Sequence, residues 1–332
     1  MRWIIRLVLL ALIAGVIGRD LQQRLFEPLR LTQVLNVDVP RGASLGSLLR
    51  DWQGRGIFDS NRQRWYLGLY ARATGEARNI KAGEYEFVPG MRAIDVTALL
   101  VSGHVLLHEL RVVEGWRFDE ALDAVRHEDT LAHAQGPTDG AALMKALGRE
   151  GLAPEGRFYP DTYRFPRGTS ELAYLRRALE TMDVVLADEW SRRAEGSPYR
   201  TPEEALTMAS IVERETGAPG ERAEIAGVFV RRLAKGMRLQ TDPTVIYGLG
   251  AAFDGNLRKK DLLTDGPYNT YTRAGLPPTP ICLPGRAAIH AALHPAPGKA
   301  LYFVARRDGT HQFSETLAQH EAAVRKYQLR RK

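Results

Sequence analysis

Two glutamates near the end of one predicted helix are the residues of this sequence that point most directly to chemistry. Residues 201–217 read TPEEALTMASIVERETG. At about 100° per residue, Glu215 falls on the apolar arc between Met208 and Ile211, and Glu213 lies roughly 200° from Glu215. A carboxyl among apolar side chains loses hydration, which raises its pKa and keeps it protonated near neutrality. The spacing therefore favours Glu215 as an acid/base, with an ion pair to an arginine at the helix end as the alternative.

The ends of this helix are marked by residues with known capping preferences. Thr201 is a natural N-cap, Pro202 suits the first helical position, and Glu204 can close a capping box. Gly217 and the following Pro219 predict the C-terminal end. The sequence thus predicts one helix that carries Glu215 close to its last turn.

The first residues of the chain form an apolar segment. Trp3–Gly18 reads WIIRLVLLALIAGVIG, and only Arg6 interrupts it. With Arg6 reaching the headgroups and Trp3 at the interface, the segment approaches the roughly 17 residues that a bilayer needs. A cleaved signal peptide and a buried core helix are the alternatives, but no clear cleavage site follows the apolar run. We therefore expect a single-pass membrane anchor, with the rest of the chain on one side.

The stretch after this segment alternates between strand-like and helical patterns. Its predicted order is a strand, two helices and a strand, at 37–39, 45–52, 61–73 and 82–87. This β-α-α-β order resembles a LysM-type glycan-binding module, through V-x-V-x-x-G-x-S-L at 37–45 and K-A-G-E-Y at 81–85. The alternative is a spacer that holds the remaining chain away from a membrane.

Composition is that of an ordinary globular protein, and it limits the partners. The 332 residues are 44% hydrophobic and 26% charged, with a formal net charge of +7. Because the basic residues are scattered and do not alternate with aromatic residues, we expect no nucleic-acid partner; the charge also suits anionic lipids or a carboxylate-rich polymer. The single cysteine, Cys282, excludes an intrachain disulfide. His290 and His294 are four residues apart, but Pro295 follows, so we expect no metal and no cofactor.

Four motifs, in chain order, resemble the YceG-like (MltG) family of endolytic murein transglycosylases. They are ASIVERET at 209–216, RLAKGMRLQTDPTVIYGLG at 232–250, YNTYTRAGLPPTPI at 268–281 and HPA at 294–296. The resemblance covers nearly the whole chain. The catalytic residue of the family is the second glutamate of its E-[KR]-E motif, which is Glu215 here. The resemblance implies a lyase that cleaves the β-1,4 bond between N-acetylmuramic acid and N-acetylglucosamine and leaves 1,6-anhydro-N-acetylmuramic acid ends.

The reaction implied by this resemblance needs one carboxyl group that acts twice. Glu215 would protonate the glycosidic oxygen and then take the proton of the muramyl C6 hydroxyl, which closes on C1. Cleavage within nascent glycan strands would end their elongation, and it implies peptidoglycan synthases as partners. The resemblance also implies a protein of the cell inner membrane whose catalytic domain lies in the periplasm.

Polar and aromatic residues in the second and third motifs are candidates for binding the sugars. Amides and hydroxyls suit sugar hydroxyl and N-acetyl groups, and exposed aromatic rings can stack on sugar faces. A turn at Asp242 and a purely structural loop at 268–271 are the alternatives, and the proline loop 275–281 is expected to form a wall of the cleft. The candidates are Gln240, Thr241, Asp242, Tyr247, Tyr268, Asn269 and Tyr271.

The sequence as a whole predicts an α+β protein in four parts. They are a transmembrane anchor, a juxtamembrane linker, a LysM-like subdomain and a mixed α/β catalytic domain, over 1–19, 20–35, 36–106 and 107–332. Two rival functions remain open. A hydrolytic muramidase would need a second carboxylate to activate water, from Asp161, Asp242 or Asp265. A non-catalytic peptidoglycan-binding membrane protein would use only the LysM-like part.

Overall fold

Thirteen α-helices and eight short strands make up the regular structure of the computed structural model, within the residues that it describes, 2–133, 139–215 and 218–329. The helices are α1 Arg2–Phe26, α2 Leu45–Gly54, α3 Asn61–Ala73, α4 Ala93–Ser102, α5 Phe118–Arg126, α6 Gly140–Ala146, α7 Glu171–Ser191, α8 Pro202–Glu215, α9 Arg222–Ala234, α10 Asp242–Leu249, α11 Lys259–Leu263, α12 Arg286–Leu293 and α13 Leu317–Val324. The strands are β1 Leu35–Val39, β2 Gly83–Phe87, β3 Leu107–Arg111, β4 Leu131–Ala132, β5 Thr162–Pro166, β6 Thr169–Ser170, β7 Tyr302–Ala305 and β8 His311–Ser314. The predicted α+β class is confirmed.

The chain divides into two compact units, each with its own buried core. The first unit contains the residues up to His108 together with Arg164–Thr169, and the second contains Glu109–Tyr163 and the chain from Ser170 onward. The sequence-based boundary between residues 106 and 107 does not foresee that Arg164–Thr169 joins the first unit. The four functional parts assigned from the sequence stay a prediction.

The first unit is built on one antiparallel strand pair covered by helices. β1 and β2 pair with Leu35 opposite Phe87 and Val39 opposite Gly83. The ring of Trp52, on α2, meets the ring of Phe87 edge-on, with 5.1 Å between the centroids. The other buried side chains of this core come from α1 to α4, from both strands and from the connecting segments at Leu29 and 57–58. The observed order β1, α2, α3, β2 is the one that the sequence patterns predict, and its likeness to a LysM module stays a prediction.

α1 carries exposed apolar side chains along most of its length. Eleven large ones are 52–77% exposed: Trp3, Ile4, Ile5, Leu7, Val8, Leu9, Leu10, Leu12, Ile13, Val16 and Ile17. The other end of the helix packs into the first unit, where Leu25 is buried and Asp20 accepts a hydrogen bond from Tyr66 at 2.8 Å. Among the helices of the described residues, none is both long enough and apolar enough to cross a membrane. This finding does not support the predicted transmembrane span.

α8 lies at the centre of the second unit and is buried on all sides over residues 205–212. It packs against α7, α9, α10 and α12. The helix buries its polar side chains as well as its apolar ones, because they find partners. Ser210 donates to the carbonyl of Thr207 at 2.7 Å and accepts from the N–H of Ile281 at 3.0 Å. The last turn of α8 is therefore fixed in place by the packing of the whole unit.

An antiparallel hairpin of β7 and β8 lies beside α9. Tyr302 pairs with Ser314 and Ala305 pairs with His311. The ring of Phe303, on β7, contacts the ring of Phe229, on α9, with 5.6 Å between the centroids. Together with α13, the hairpin forms one wall of the cleft described next.

Candidate active site

The predicted start of α8 is observed, with one change in its capping. The Thr201 hydroxyl accepts the N–H of Glu204 at 3.3 Å, as an N-cap does. The Glu204 carboxylate accepts the N–H of Arg200 at 2.6 Å, one residue earlier than in a capping box. α8 is described up to Glu215, and the predicted C-terminal end at Gly217 lies outside the described residues.

The two glutamates of the last turn of α8 lie in different surroundings, as their helical spacing predicts. Glu213 accepts the N–H of Gly285 at 3.0 Å and forms an ion pair with Arg222 at 3.3 Å. Glu215 faces a cleft of about 410 Å³ in the second unit. Glu213 therefore has a structural role that ties α8 to neighbouring segments, and Glu215 is the carboxyl that a bound molecule can reach.

The surroundings of Glu215 raise its pKa to about 7. Burial is the largest cause, since the charged carboxylate loses hydration, and the nearby charge of Asp242 acts in the same direction. The hydroxyl of Thr241 donates a hydrogen bond to Oε1 of Glu215, and it lowers the pKa, as does His311. A carboxyl with this pKa can both give and take a proton near neutral pH.

The buried hydroxyls of two other threonines, Thr270 and Thr244, hold Thr241 against Glu215. The N–H of Thr241 donates to Oγ1 of Thr270 at 3.1 Å, and the hydroxyls of Thr270 and Thr244 lie 2.9 Å apart. Thr244 also donates to the carbonyl of Thr241 at 2.8 Å. Because all three residues are at most 3% exposed, this network fixes the hydroxyl of Thr241 where it meets the carboxyl.

Gln240, next to Thr241, has an unusual backbone conformation. Its φ is +55°, and no other non-glycine residue in the described ranges has a positive φ. Left-handed backbone is costly for a long side chain, and such residues concentrate at functional sites. The conformation is held by two contacts: the N–H of Gln240 donates to the carbonyl of Thr270 at 3.1 Å, and its side-chain oxygen accepts from Arg232 at 3.3 Å. The side chain of Gln240 lines the cleft.

Asp242 and Tyr271 lie together at the cleft beside Glu215. The phenol of Tyr271 donates to Oδ1 of Asp242 at 2.5 Å. Burial and the carboxylate of Asp242 raise the pKa of Tyr271, so the phenol stays protonated and keeps donating. The structure thus brings together Glu215, Gln240, Asp242 and Tyr271, with Thr241 buried beneath them.

Besides the buried Thr241, three of the sequence-predicted sugar-binding residues do not line this cleft. The side-chain amide of Asn269 is buried and donates to three carbonyls, those of Asp261, Leu262 and Thr264. Tyr268 donates or accepts a hydrogen bond with Thr279 at 2.8 Å, and its ring meets that of Tyr247 at 4.8 Å. These contacts order the loop at 268–271, which is the structural alternative considered for Tyr268 and Asn269, and Tyr247 packs against Tyr268 from α10.

Several cleft residues were not predicted from the sequence as part of the site, among them Arg232, Tyr302, His311 and His320. Arg232 is 7% exposed, and its guanidinium donates to the carbonyls of Leu301 and Leu239 at 2.7 and 2.6 Å. Burial, and then the nearby Arg232, lower the pKa of His320, whose ring stacks on Tyr302 at 5.3 Å. Tyr302 and His311 lie on the β7–β8 hairpin. The strand-like alternation on both sides of Asp308-Gly309 could have predicted that hairpin from the sequence.

A second buried carboxyl, Glu155, lies away from Glu215. It is 6% exposed and accepts the N–H of Phe118 at 3.0 Å. Burial raises its pKa to about 7, against hydrogen bonds from Phe118 and Tyr247 that lower it. Glu155 lines a cleft of about 870 Å³ together with the proline loop at 276–280. The prediction that this loop forms a wall of the catalytic cleft is therefore wrong for the cleft that contains Glu215.

Glu189, His290 and His294 place three metal-ligand atoms within 4.8 Å of one another. α12 ends at Leu293, as Pro295 predicts, and the two histidine rings stack at 4.2 Å. Arg286 already donates to Oε1 of Glu189 at 2.8 Å, and His294 faces the carbonyls of His290 and Arg192 at 3.2 and 2.7 Å. The carboxylate of Glu189 and the ring of His294 therefore already have hydrogen-bond partners within the protein. The expectation of no metal stays a prediction.

Comparison with known proteins agrees with the sequence motifs. The YceG-like family matches residues 37–326. An endolytic murein transglycosylase from Bacillus subtilis strain 168 is 30% identical over 310 residues, which are 88% of this chain and 84% of that protein. One from Streptococcus pneumoniae strain D39 is 25% identical over 303 residues, 82% of this chain and 54% of that protein.

One solved structure is similar to this chain in both sequence and fold. The crystal structure of a YceG-like protein from Listeria monocytogenes matches with a TM-score of 0.53 at 30% sequence identity, over 88% of this chain and 99% of that one. The predicted family resemblance is thereby confirmed by sequence and by fold. This chain belongs to the YceG-like family.

Proposed function

We propose that this protein is an endolytic murein transglycosylase, a lyase that cuts the glycan strands of peptidoglycan. Relatives that cover most of the chain carry that name. The observation that carries the proposal is a carboxyl group in a cleft, Glu215, whose surroundings raise its pKa to about 7. The proposal explains why one carboxyl is buried at the end of the central helix, where it can be reached from the cleft.

The proposed reaction uses Glu215 twice. Protonated Glu215 gives its proton to the oxygen of the β-1,4 bond between N-acetylmuramic acid and N-acetylglucosamine, and the bond from that oxygen to C1 breaks. The carboxylate then takes the proton of the muramyl C6 hydroxyl, whose oxygen bonds to C1. The products are a free 4-hydroxyl on N-acetylglucosamine and a 1,6-anhydro-N-acetylmuramic acid end. Glu215 is protonated again, and no water is consumed.

Neighbouring residues are proposed to support both steps. The hydroxyl of Thr241 would hold the carboxyl and stabilise its ionised form between the two proton transfers. The carboxylate of Asp242, beside Glu215, would stabilise positive charge that develops at C1 in an oxocarbenium-like transition state. Gln240 and Tyr271 would bind sugar hydroxyl or N-acetyl groups at the wall of the cleft.

The test is a Glu215→Gln variant, incubated with purified glycan strands and analysed for strand ends. Wild type should produce 1,6-anhydro ends, and the variant should lose this activity by a factor of about 10³ or more, because general acid and base are lost together. Glu203→Gln is the matched control, since Glu203 lies on the same helix, is exposed, and is outside the cleft. If Glu215→Gln cuts as well as wild type does, both this assignment and the enzymatic role of the cleft are rejected.

A hydrolytic muramidase is the second candidate, because a second carboxylate lies beside Glu215. Of Asp161, Asp242 and Asp265, only Asp242 lines the cleft, and Asp265 forms an ion pair with Arg273 at 2.9 Å. Hydrolysis would leave reducing N-acetylmuramic acid ends, with an oxygen from water at C1. Digestion in water enriched in ¹⁸O distinguishes the two reactions, since only the hydrolase incorporates the label.

We further propose that α1 attaches the protein to the cell inner membrane, with the rest of the chain on the periplasmic side. The exposed apolar side chains between Trp3 and Ile17 support this, since such a surface is stabilised by lipid. Attachment near the site of synthesis would let the enzyme cut nascent strands and end their elongation, next to peptidoglycan synthases. Replacing Leu9, Leu10 and Ile13 by serine should move the protein from the membrane fraction to the soluble fraction.

A further inference from the structure

A small pocket on the first unit has a positively charged lining. It lies between α2 and α3 and has a volume of about 310 Å³. Three arginines line it, Arg50, Arg64 and Arg72, together with the indole of Trp65. No carboxylate is among the described residues that line it. The pocket therefore concentrates three positive charges around an open space.

Two of these guanidinium groups point at the same place. A β-carbon built on Gly46 would lie 3.7 Å from Nη1 of Arg50 and 3.8 Å from Nη2 of Arg72. Glycine at this position leaves that space open. Two like charges that converge on one point repel each other, and an anion between them would turn the repulsion into attraction.

The three arginines have no anionic partner within the described part of the chain. Nε of Arg64 is buried and has no hydrogen-bond partner. By contrast, two other arginines of the same unit have an anionic partner: Arg55 lies 2.9 Å from Asp51, and Arg92 lies 2.7 Å from Asp95. A buried N–H group without a partner calls for an explanation, and a bound anion is one.

Further features favour a phosphate group over other anions. Gly46 lies in the first turn of α2, whose free N–H groups and helix dipole favour an anion at that end. Arginine forks match phosphate oxygens with two parallel hydrogen bonds. Trp65 is 58% exposed, and the adjacent Tyr66 donates to Asp20, just beyond the apolar stretch of α1. An exposed indole beside arginines is typical of the headgroup level of a bilayer.

We propose that this pocket binds a phosphate group, supplied by an anionic phospholipid headgroup. Arg50 and Arg72 would hold the phosphate oxygens over Gly46, Arg64 would donate from the floor, and Trp65 would pack against the glycerol. The site is separate from the Glu215 cleft and does not depend on the reaction proposed there. Free phosphate has the same chemistry, and the experiment distinguishes the two sources.

The experiment is calorimetric titration of the full chain in non-ionic detergent with two probes, inorganic phosphate and dihexanoyl phosphatidylglycerol. We expect both probes to bind, with the lipid the tighter of the two. The Arg50→Gln/Arg72→Gln variant should bind both at least about tenfold more weakly, since two charge-assisted contacts are lost. Arg30→Gln/Arg41→Gln is the matched control, because it removes the same charge from exposed positions outside the pocket and should bind as wild type does.

A second variant tests the geometry without removing any arginine. Gly46→Glu places a carboxylate in the space between Arg50 and Arg72, so it should abolish binding of both probes and raise the melting temperature. Equal binding by wild type and Arg50→Gln/Arg72→Gln, or undiminished binding by Gly46→Glu, would overturn the proposal. Binding of inorganic phosphate without the lipid would overturn the headgroup as the source.

Discussion

At the scale of single residues, the two largest contributions to the pKa of Glu215 oppose each other. Burial disfavours the carboxylate, and the hydrogen bond from Thr241 favours it. The two residues are 26 positions apart in the chain, and the threonine network around Thr270 and Thr244 keeps them in contact. The acid/base character of Glu215 therefore depends on a hydroxyl that another segment positions.

Replacing Thr241 by valine should shift the pH dependence of catalysis. Valine removes the hydroxyl at nearly constant volume, so the ionised form of Glu215 loses a hydrogen bond and its pKa rises further. Since Glu215 must be protonated to begin the reaction, activity falls as pH rises through this pKa. The alkaline limb of kcat/KM against pH should move upward by about one pH unit. Thr241→Ser keeps the hydroxyl and should retain the wild-type limb, and an unmoved limb in Thr241→Val would contradict the role of the hydroxyl.

Glu155 provides a test of stability against pH. Its pKa rises from 4.5 to about 7 on folding, so the folded chain keeps a proton that the unfolded chain releases. The contribution of protonated Glu155 to the free energy of unfolding is fully present below pH 4.5, and it is lost as the pH rises through 7. Glu155→Gln stays neutral, so from pH 5 to pH 8 it should gain roughly 2–3 kcal/mol relative to wild type in urea unfolding.

The control for this comparison is Glu203→Gln, at an exposed position. Its stability relative to wild type should stay the same at both pH values. If Glu155→Gln also shows no change between pH 5 and pH 8, then Glu155 ionises equally in the folded and unfolded chain, and burial does not govern its pKa.

Which residues surround Glu215 could be predicted only in part. Helical spacing separates Glu215 from Glu213 because both lie on one regular element. Nothing local in the sequence places Arg232 or His311 at the same cleft, since they come from other elements. Polarity also could not tell a sugar-binding side chain from one that orders a loop, as the buried amide of Asn269 illustrates.

At the scale of elements, close packing between two loops should make one glycine irreplaceable. Gly156 has φ +79°, and a β-carbon there would lie 2.4 Å from Cβ of Pro280 in the proline loop. Gly148 has φ +78° and open space around it. Gly148→Ala should cost about 1 kcal/mol from backbone strain alone, whereas Gly156→Ala should cost about 3 kcal/mol or more because a clash is added. Urea unfolding measures the loss of stability in both variants. Equal losses would show that the proline loop moves aside without a measurable loss of stability.

The elements themselves were more predictable than their partners. α8 begins at Pro202, as its capping residues indicate, and β1, α2, α3 and β2 appear where hydrophobic periodicity places them. The proline loop was expected at the catalytic cleft and lies instead beside Glu155. Hydrophobic periodicity indicates which face of a segment is buried. It does not indicate which other segment packs against that face.

At the scale of the whole molecule, the net charge of +7 should contribute to holding the substrate. Peptidoglycan carries carboxylates on its peptides, so attraction between polymer and protein is expected at low salt and is screened at high salt. Binding of the Glu215→Gln variant to purified sacculi should weaken severalfold between about 0.05 and 0.5 M NaCl. Co-sedimentation measures this, and binding that does not depend on salt would assign the affinity to local contacts alone.

The short segment Arg164–Thr169 affects how the gene for this protein can recombine. It belongs to the first unit although the chain on both sides of it belongs to the second, and there Arg167 pairs with Glu84 at 3.0 Å. Neither unit is thus a continuous stretch of the gene. Recombination at a single breakpoint near codon 108 would give a hybrid whose Glu84 comes from one parent and whose Arg167 comes from the other. We therefore expect the two units to be inherited together and not to be exchanged separately by recombination.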